Sequence, residues 1–301
     1  MKNPSDANTR NHTAFIVNAF IQEDGSGGNP AGVVLDADPL TSTAKQTLAA
    51  HLGLSETVFV SRSEIADYKM EFFTPLRQIP HCGHATVAAF CLLAEKGRLA
   101  KEGEYSKETT EGPRRVFLRR GEAHLEQSTP QYSELKNTTI SAVLKALNLP
   151  GEKLLANSEP RIVSTANRML IVPVCDEKTL GQMTPDMKAI KEISERNDLV
   201  GYYVFTLGGD KTGRKLFARM FAPRYGILEE SATGTGAGAM ACYLYDILGI
   251  QNTEMVVRQG MFMRPPSASK ISVTLQISEN KIQSVRTGGL SRLITEKRFE
   301  I

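Results

Sequence analysis

The sequence predicts an α+β protein of two similar halves, and three observations carry that expectation. At 301 residues the chain exceeds what one compact core usually organises and suits two domains of about 150 residues. Its strand-like stretches alternate irregularly with helical ones, so no regular βαβ array is expected. The chain also repeats its own order of elements.

The repeat runs as follows. In the first half, Pro39-Leu40 leads into a helix over 43–52, then LGLSETVFV and MEFFTP read as strands, the second ending in Phe-Thr-Pro. IPHCGHATVAAFCLLAEKG follows, a small-residue turn entering an apolar helix that stops at Gly97. In the second half, Pro185 leads into a helix over 187–195, then NDLVGYYVFT and FARMFAP read as strands, the second ending in Phe-Ala-Pro. ILEESATGTGAGAMACYLYDILG then repeats the turn and apolar helix, with its stop at Gly249. Gly83 of the first turn corresponds to Gly234 of the second.

Both helices, over 84–96 and 235–248, lack a wide polar face, which marks helices surrounded by protein. Their Ala and Gly content fits close backbone approach inside a curved sheet. Further strands are expected over 14–20, 32–35, 115–119, 162–164, 169–173, 255–259, 270–276 and 281–287. The Pro- and Ser-containing stretch over 127–134 is the expected crossing between domains. The domains so drawn are a frayed polar leader over 1–12, an N-terminal domain over 13–127 with 288–301, and a C-terminal domain over 128–287.

Composition excludes several classes. A content of 41% hydrophobic and 23% charged residues is ordinary for a globular chain, and a net charge of +3 is small. The basic pairs Arg114-Arg115 and Arg119-Arg120 flank Val-Phe-Leu and read as the ends of a strand, so no nucleic-acid footprint is expected. No stretch has the length of a membrane span, and the polar N-terminus is not a signal peptide. Cys82 and Cys91, on one expected helix, stand about 13 Å apart along its axis, too far for a disulfide. Neither they nor Cys175 and Cys242 show zinc spacing, so no metal is expected and the reducing cytoplasm is the expected compartment.

The two turns are the candidate site. Helix N-termini present free N–H groups to anions, and Gly83-His84-Ala85 and Gly234-Thr235-Gly236 are two such ends. A pseudo-symmetric pair of domains would turn both ends toward one cleft and suit a carboxylate substrate. Gly234-Thr-Gly236-Ala-Gly238 imitates a dinucleotide loop but lacks the full G-x-G-x-x-G pattern and its ribose-binding acid, and no Lys-Ser/Thr completes a phosphate loop. Glu56, at the mouth of an apolar strand, reads either as a surface or capping carboxylate or as a general acid/base raised by desolvation. His81, His84, Glu230 and Thr235 each carry a capping or structural reading beside the functional one.

Together GNPAGVV, SETVFV, FFTPLRQIPHCGHATVAAF and FAPRYGILEESATGTGAGA resemble the PhzF (phenazine-biosynthesis-like) family over nearly the whole chain after the leader. That family shares its fold with diaminopimelate epimerase. The resemblance implies two pseudo-symmetric domains, each a barrel-like, mostly antiparallel sheet around a central helix, with a C-terminal strand that returns to the first domain. It implies a cofactor-independent isomerase acting by acid–base proton transfer on a small carboxylated amino- or hydroxy-substrate, in a homodimer. The family's catalytic glutamate falls on Glu56, its histidine on His84, its aspartate on Glu230 and its Ser/Asn on Thr235. Ser55, Gly83, Gly234 and Thr235 are the expected substrate-binding residues. Glu230-Ser231 replaces the family Asp-Pro, which predicts a carboxylate reaching about 1.5 Å further and a looser turn.

Two rivals accompany this reading. The chain would bind a metabolite without turnover, or Cys82 would invert a stereocentre with a nonthiol partner. Thr233 stands where a two-thiol enzyme places its second cysteine, and a hydroxyl is far too weak an acid to replace it, which disfavours a two-thiol racemase.

Overall fold

A computed structural model describes residues 11–209 and 215–300, and the first ten residues of the expected leader lie outside that description. Asn11 and His12, also expected in the leader, already belong to the first strand, β1 (Asn11–Ala19). β2 (Asn29–Val34), α1 (Ser42–Leu52), β3 (Thr57–Ser61), β4 (Tyr68–Phe73), β5 (Gln78–Ile79), α2 (Gly83–Glu95), β6 (Gly103–Thr109) and β7 (Gly112–Arg119) follow. Then come β8 (Glu122–Gln127), β9 (Gln131–Ser133), α3 (Asn137–Ala146), β10 (Arg161–Ser164), β11 (Arg168–Pro173), α4 (Glu177–Gln182), α5 (Met187–Arg196) and β12 (Gly201–Thr206). The rest are β13 (Lys215–Ala222), β14 (Ile227–Glu230), α6 (Gly234–Cys242), β15 (Glu254–Gln259), β16 (Ser269–Ser278), β17 (Lys281–Gly289) and β18 (Ser291–Glu300).

The chain divides into two compact units. The first holds the chain up to Ala19, Pro30–Ala123 and the chain from Leu290; the second holds Phe20–Asn29 and His124–Gly289. The change of unit at Ala123–His124 precedes the stretch expected to cross, and Phe20–Asn29 is an excursion that periodicity did not signal.

Strand pairing exposes the duplication more clearly than side chains do. In the first unit β2 runs parallel to β3, β3 antiparallel to β4, β4 parallel to β6, and β6 antiparallel to β7. In the second, β11 runs parallel to β12, β12 antiparallel to β13, β13 parallel to β15, and β15 antiparallel to β16. The short strands β5 and β14 occupy the same place, each antiparallel to the strand before it and just ahead of the apolar helix. β18 returns to the first unit and pairs antiparallel with β1. Pairing is therefore mostly antiparallel, with parallel joins where a helix crosses over.

Each sheet curls round its apolar helix. α6 packs against β10, β11 and β12 and also against β16 and β17, strands from opposite reaches of the same sheet. α2 packs against β1, β3 and β18 in its own unit. Small residues make the enclosure possible. A Cβ on Gly236 would stand 2.3 Å from the Tyr203 ring, and one on Gly238 would stand 2.6 Å from Gln127. The expected single helix over 235–248 is an α-helix only to Cys242; Tyr243–Ile247 then widens into a π-turn. Both helices end as expected, at Gly97 (φ 71°) and Gly249 (φ 68°), left-handed positions that suit residues without a Cβ. The second unit adds an outer layer in which α3, α4 and α5 bury Val143, Leu180, Ile190 and Ile193 against the sheet.

Candidate active site

In the first unit, the site begins at a close strand contact. Gly32 on β2 pairs with Thr57 on β3, and its N–H donates to the Glu56 carbonyl at 3.0 Å. A Cβ on Gly32 would lie 2.7 Å from Thr57 Oγ1, so glycine permits the approach that seats Glu56. Glu56 is 6% exposed, and its Oε2 accepts no hydrogen bond among the described residues. Such an atom is rare, because an unpaired buried oxygen forfeits its hydration without compensation.

His84, in the first turn of α2 and 4% exposed, places Nε2 3.3 Å from that oxygen. The separation is that of an ion pair, while the approach is not aligned as a hydrogen bond. On the other side of the ring, Nδ1 meets Cys82 Sγ at 3.4 Å. Carboxylate, imidazole and thiol thus form a buried row, with one ligand atom from each lying within 4.8 Å of the others. That spacing is compact enough to hold a cation, and the same three groups serve proton transfer without one. Cys82 is the N-cap of α2 and gives the helix no side-chain cap bond. Ser55, just ahead of Glu56, is exposed, and Gly83 opens the helix half-buried.

His81 was left ambiguous by sequence, and the structure gives it a definite partner. Lys107 Nζ and its Nδ1 share a hydrogen bond at 2.8 Å, whose direction is set by the ring tautomer. Burial, with Lys107 and Arg114 nearby, holds the imidazole well below its usual range, so it is neutral.

The corresponding turn of the second unit is built differently. Glu230 Oε2 accepts from Thr233 Oγ1 at 2.7 Å, and its Oε1 accepts from Asn29 Nδ2 at 3.1 Å. The longer side chain is thus drawn back onto its own turn, which corrects the expectation of further reach. Gln259, fully buried, donates to the Glu230 carbonyl and to Thr233 Oγ1 and accepts from the Thr233 N–H and the Tyr203 hydroxyl. Nor is the turn loosened by the missing proline. Ser231 is 5% exposed and donates its hydroxyl to the Gly28 carbonyl at 3.1 Å. The N-cap is Thr233, with no side-chain cap bond, and Thr235 sits half-buried in the first turn after Gly234.

Sequence reasoning missed Asn29, Gln259 and Lys107. Asn29 lies inside GNPAGVV, a motif already singled out, so it carried a signal that was not assigned to a residue. Gln259 and Lys107 end or interrupt polar-looking strands and carried none. Two further thiols are not poised for chemistry: burial raises Cys91 to about 11 and pushes Cys242 up as well. All four cysteines are free, and among the described residues no helix is long and apolar enough to cross a membrane.

Comparison with known proteins agrees with this architecture. The family model described as "Phenazine biosynthesis-like protein" matches residues 17–296. The uncharacterised isomerase YddE of Escherichia coli (strain K12) is 29% identical over 294 residues, covering 95% of this chain and 98% of that protein. An uncharacterised isomerase of Deinococcus radiodurans is 32% identical over 291 residues, covering 93% of this chain and 92% of its own. The crystal structure of a Bacillus anthracis phenazine biosynthesis protein of the PhzF family superposes with a TM-score of 0.84 at 26% identity, covering 97% of this chain and 100% of that one. A hydroxyproline epimerase from Agrobacterium vitis shares the fold alone, at 14% identity and a TM-score of 0.64 over 97% of this chain and 93% of its own. By sequence, by fold and by the isomerases it resembles, this chain belongs to the phenazine biosynthesis-like (PhzF) family of isomerases.

Proposed function

We propose that the protein is a cofactor-independent isomerase that shifts a proton between carbons of a small carboxylated substrate bearing an amine or hydroxyl. The observation that supports this most is Glu56: a buried carboxylate with an oxygen that accepts no hydrogen bond among the described residues, 3.3 Å from His84 Nε2. A structural carboxylate would fill its acceptor positions, whereas a base must keep a lone pair for the proton it takes.

Glu56 Oε2 removes a proton from a carbon next to the conjugated system, and the electron pair left behind delocalises toward the substrate carboxylate. The same oxygen returns the proton at another carbon on the same face, so the shift is suprafacial and no stereocentre is inverted. His84 orients the polar group beside the reacting carbon and shares in the proton traffic. In the first unit the start of α2 at Gly83, with Ser55 beside Glu56, offers donors to the substrate carboxylate. In the second unit the start of α6 at Gly234-Thr235 is the corresponding anion-binding end, and Glu230, fixed by Asn29 and Thr233, is an acceptor suited to an amine or hydroxyl. As the resemblance implies, the working form is a homodimer, which sedimentation at micromolar concentration measures directly.

The test is solvent deuterium exchange in D₂O across unsaturated hydroxy- and amino-carboxylates, run beside thermal-shift binding. Exchange in at least one ligand that raises the melting temperature is expected. Ligands that stabilise the protein while none exchanges would show a binding protein and end the isomerase reading.

The Cys82–His84 contact at 3.4 Å favours a second reading, in which the thiol is the acid–base group of an epimerase. It predicts inversion at one carbon and loss of activity in Cys82→Ser with Glu56→Gln spared.

A further inference from the structure

Lys107 lies on the inward face of β6 and is 1% exposed, although its neighbours Ser106 and Glu108 face outward. Burying an amine in protein is unfavourable unless its hydrogens are taken up, so its surroundings call for an account. Nζ donates to Thr86 Oγ1 at 2.7 Å, shares a hydrogen bond with His81 Nδ1 at 2.8 Å, and stands 5.1 Å from the centre of the Phe72 ring. The same burial holds the amine down to about 7, with Arg114 acting in the same direction and Cys82 and Glu111 against it.

Those two partners stand on either side of the turn that carries His84. His81 immediately precedes Cys82. Thr86 passes the contact inward, because its hydroxyl donates to the Cys82 carbonyl at 2.7 Å while its N–H reaches the same oxygen at 3.3 Å. Lys107 therefore holds both flanks of Cys82-Gly83-His84, the segment that sets where Nε2 of His84 meets Glu56. Cys82 supplies no side-chain cap to α2, so Thr86, which Lys107 itself holds, carries the side-chain bond to the start of the helix.

We propose that Lys107 is a positioning residue for the proton transfer assigned above to Glu56 and His84: through Thr86 and His81 it seats the turn that carries His84. The proposal rests on that functional reading. It differs from a packing role, which would alter stability and leave the geometry of the acid–base pair intact.

Two variants of the full chain test it. Lys107→Met keeps the length of the stem and removes the donors; Thr86→Val keeps the shape and removes the hydroxyl. Each is compared with wild type by melting temperature, by the ¹⁵N spectrum of histidine-labelled protein, and by deuterium exchange into the carboxylate that wild type exchanges fastest. In both folded variants the His84 ring resonances move and the exchange rate at saturation falls ~10–100-fold with KM little changed, because a misplaced acid–base group loses orientation and not binding. The His81 ring signals also move in Lys107→Met, because the hydrogen bond at Nδ1 is lost. Thr86→Val carries the test alone if Lys107→Met does not fold. Unmoved His84 resonances, or wild-type exchange in a folded variant, overturn the proposal. Absence of exchange in wild type with every carboxylate would instead sink the functional reading, and the His84 resonances would still judge Lys107.

Discussion

The two apolar helices start from turns of the same ancestry in topology and opposite character in chemistry. At α6, the polar groups close on one another: Glu230 is bonded to Asn29 and Thr233, and Gln259 ties the turn from behind with three hydrogen bonds and is itself held by the Tyr203 hydroxyl. At α2, a carboxylate, an imidazole and a thiol stand in a row at 3.3 and 3.4 Å, and the buried carboxylate oxygen has no hydrogen bond among the described residues. A turn whose bonds are complete is rigid and suited to recognition; a turn that leaves a buried acceptor open is suited to handling a proton. The two turns thus share a scaffold and differ in their side chains, and the proposed function assigns proton handling to the first and recognition to the second.

That comparison breaks most easily at His84. Replacing it with Gln keeps a polar group on α2 but removes the titratable ring, and deuterium exchange at saturation should fall by ~10²-fold or more. An equal loss from Glu230→Gln would erase the distinction between the turns. The second unit's effect should appear in KM, measured with the same exchanging carboxylate.

Next in size is a pH effect on stability confined to the first turn. In the folded chain Lys107 is lowered from 10.5 to about 7, so between these values the unfolded chain binds the extra proton. Stability must then rise with pH through this window, by on the order of a few kcal/mol, and stay level below it for this group. Denaturant melts of wild type and Lys107→Met from pH 7 to 10 should show that slope in wild type only.

A smaller change sharpens the reading of the second turn. Gln259→Leu leaves the Thr233 N–H and the Glu230 carbonyl without their partner and should cost about 1–3 kcal/mol in denaturant titration. Cys82→Ser should change exchange by no more than a few-fold on the proposal that Glu56, and not sulfur, carries the proton. A loss as large as that of His84→Gln would favour the epimerase reading.

Much of this was legible in the sequence, for physical reasons. Apolar helices rich in Gly and Ala, and Pro-ended strands before them, announce a duplicated sheet that encloses a helix. Glu56 and His84 were singled out as ionisable residues beside a core, but the residues alone left capping and functional readings open, and the resemblance chose between them. Lys107 was not, because KEGEYSKETTEG looks like solvated chain when one inward position is lysine, and only a partner from a remote segment makes that burial tolerable. The helix Asn137–Ala146 escaped for a related reason: its outer face is polar, and packing decides its state, while the C-terminal strand, seen at Ser291–Glu300, was expected through the family resemblance and not through its own pattern. Asn29 shows the remaining gap, since a motif can be recognised before its contacts can be known.

The central claim is that one carboxylate carries the proton, and the most direct measurement is deuterium incorporation by Glu56→Gln beside wild type, with folding verified by melting temperature. The amide fills the same space and cannot accept the proton, so incorporation should drop by ~10²–10⁴-fold while ligand binding persists. Incorporation at the wild-type rate in a folded Glu56→Gln protein would contradict the account.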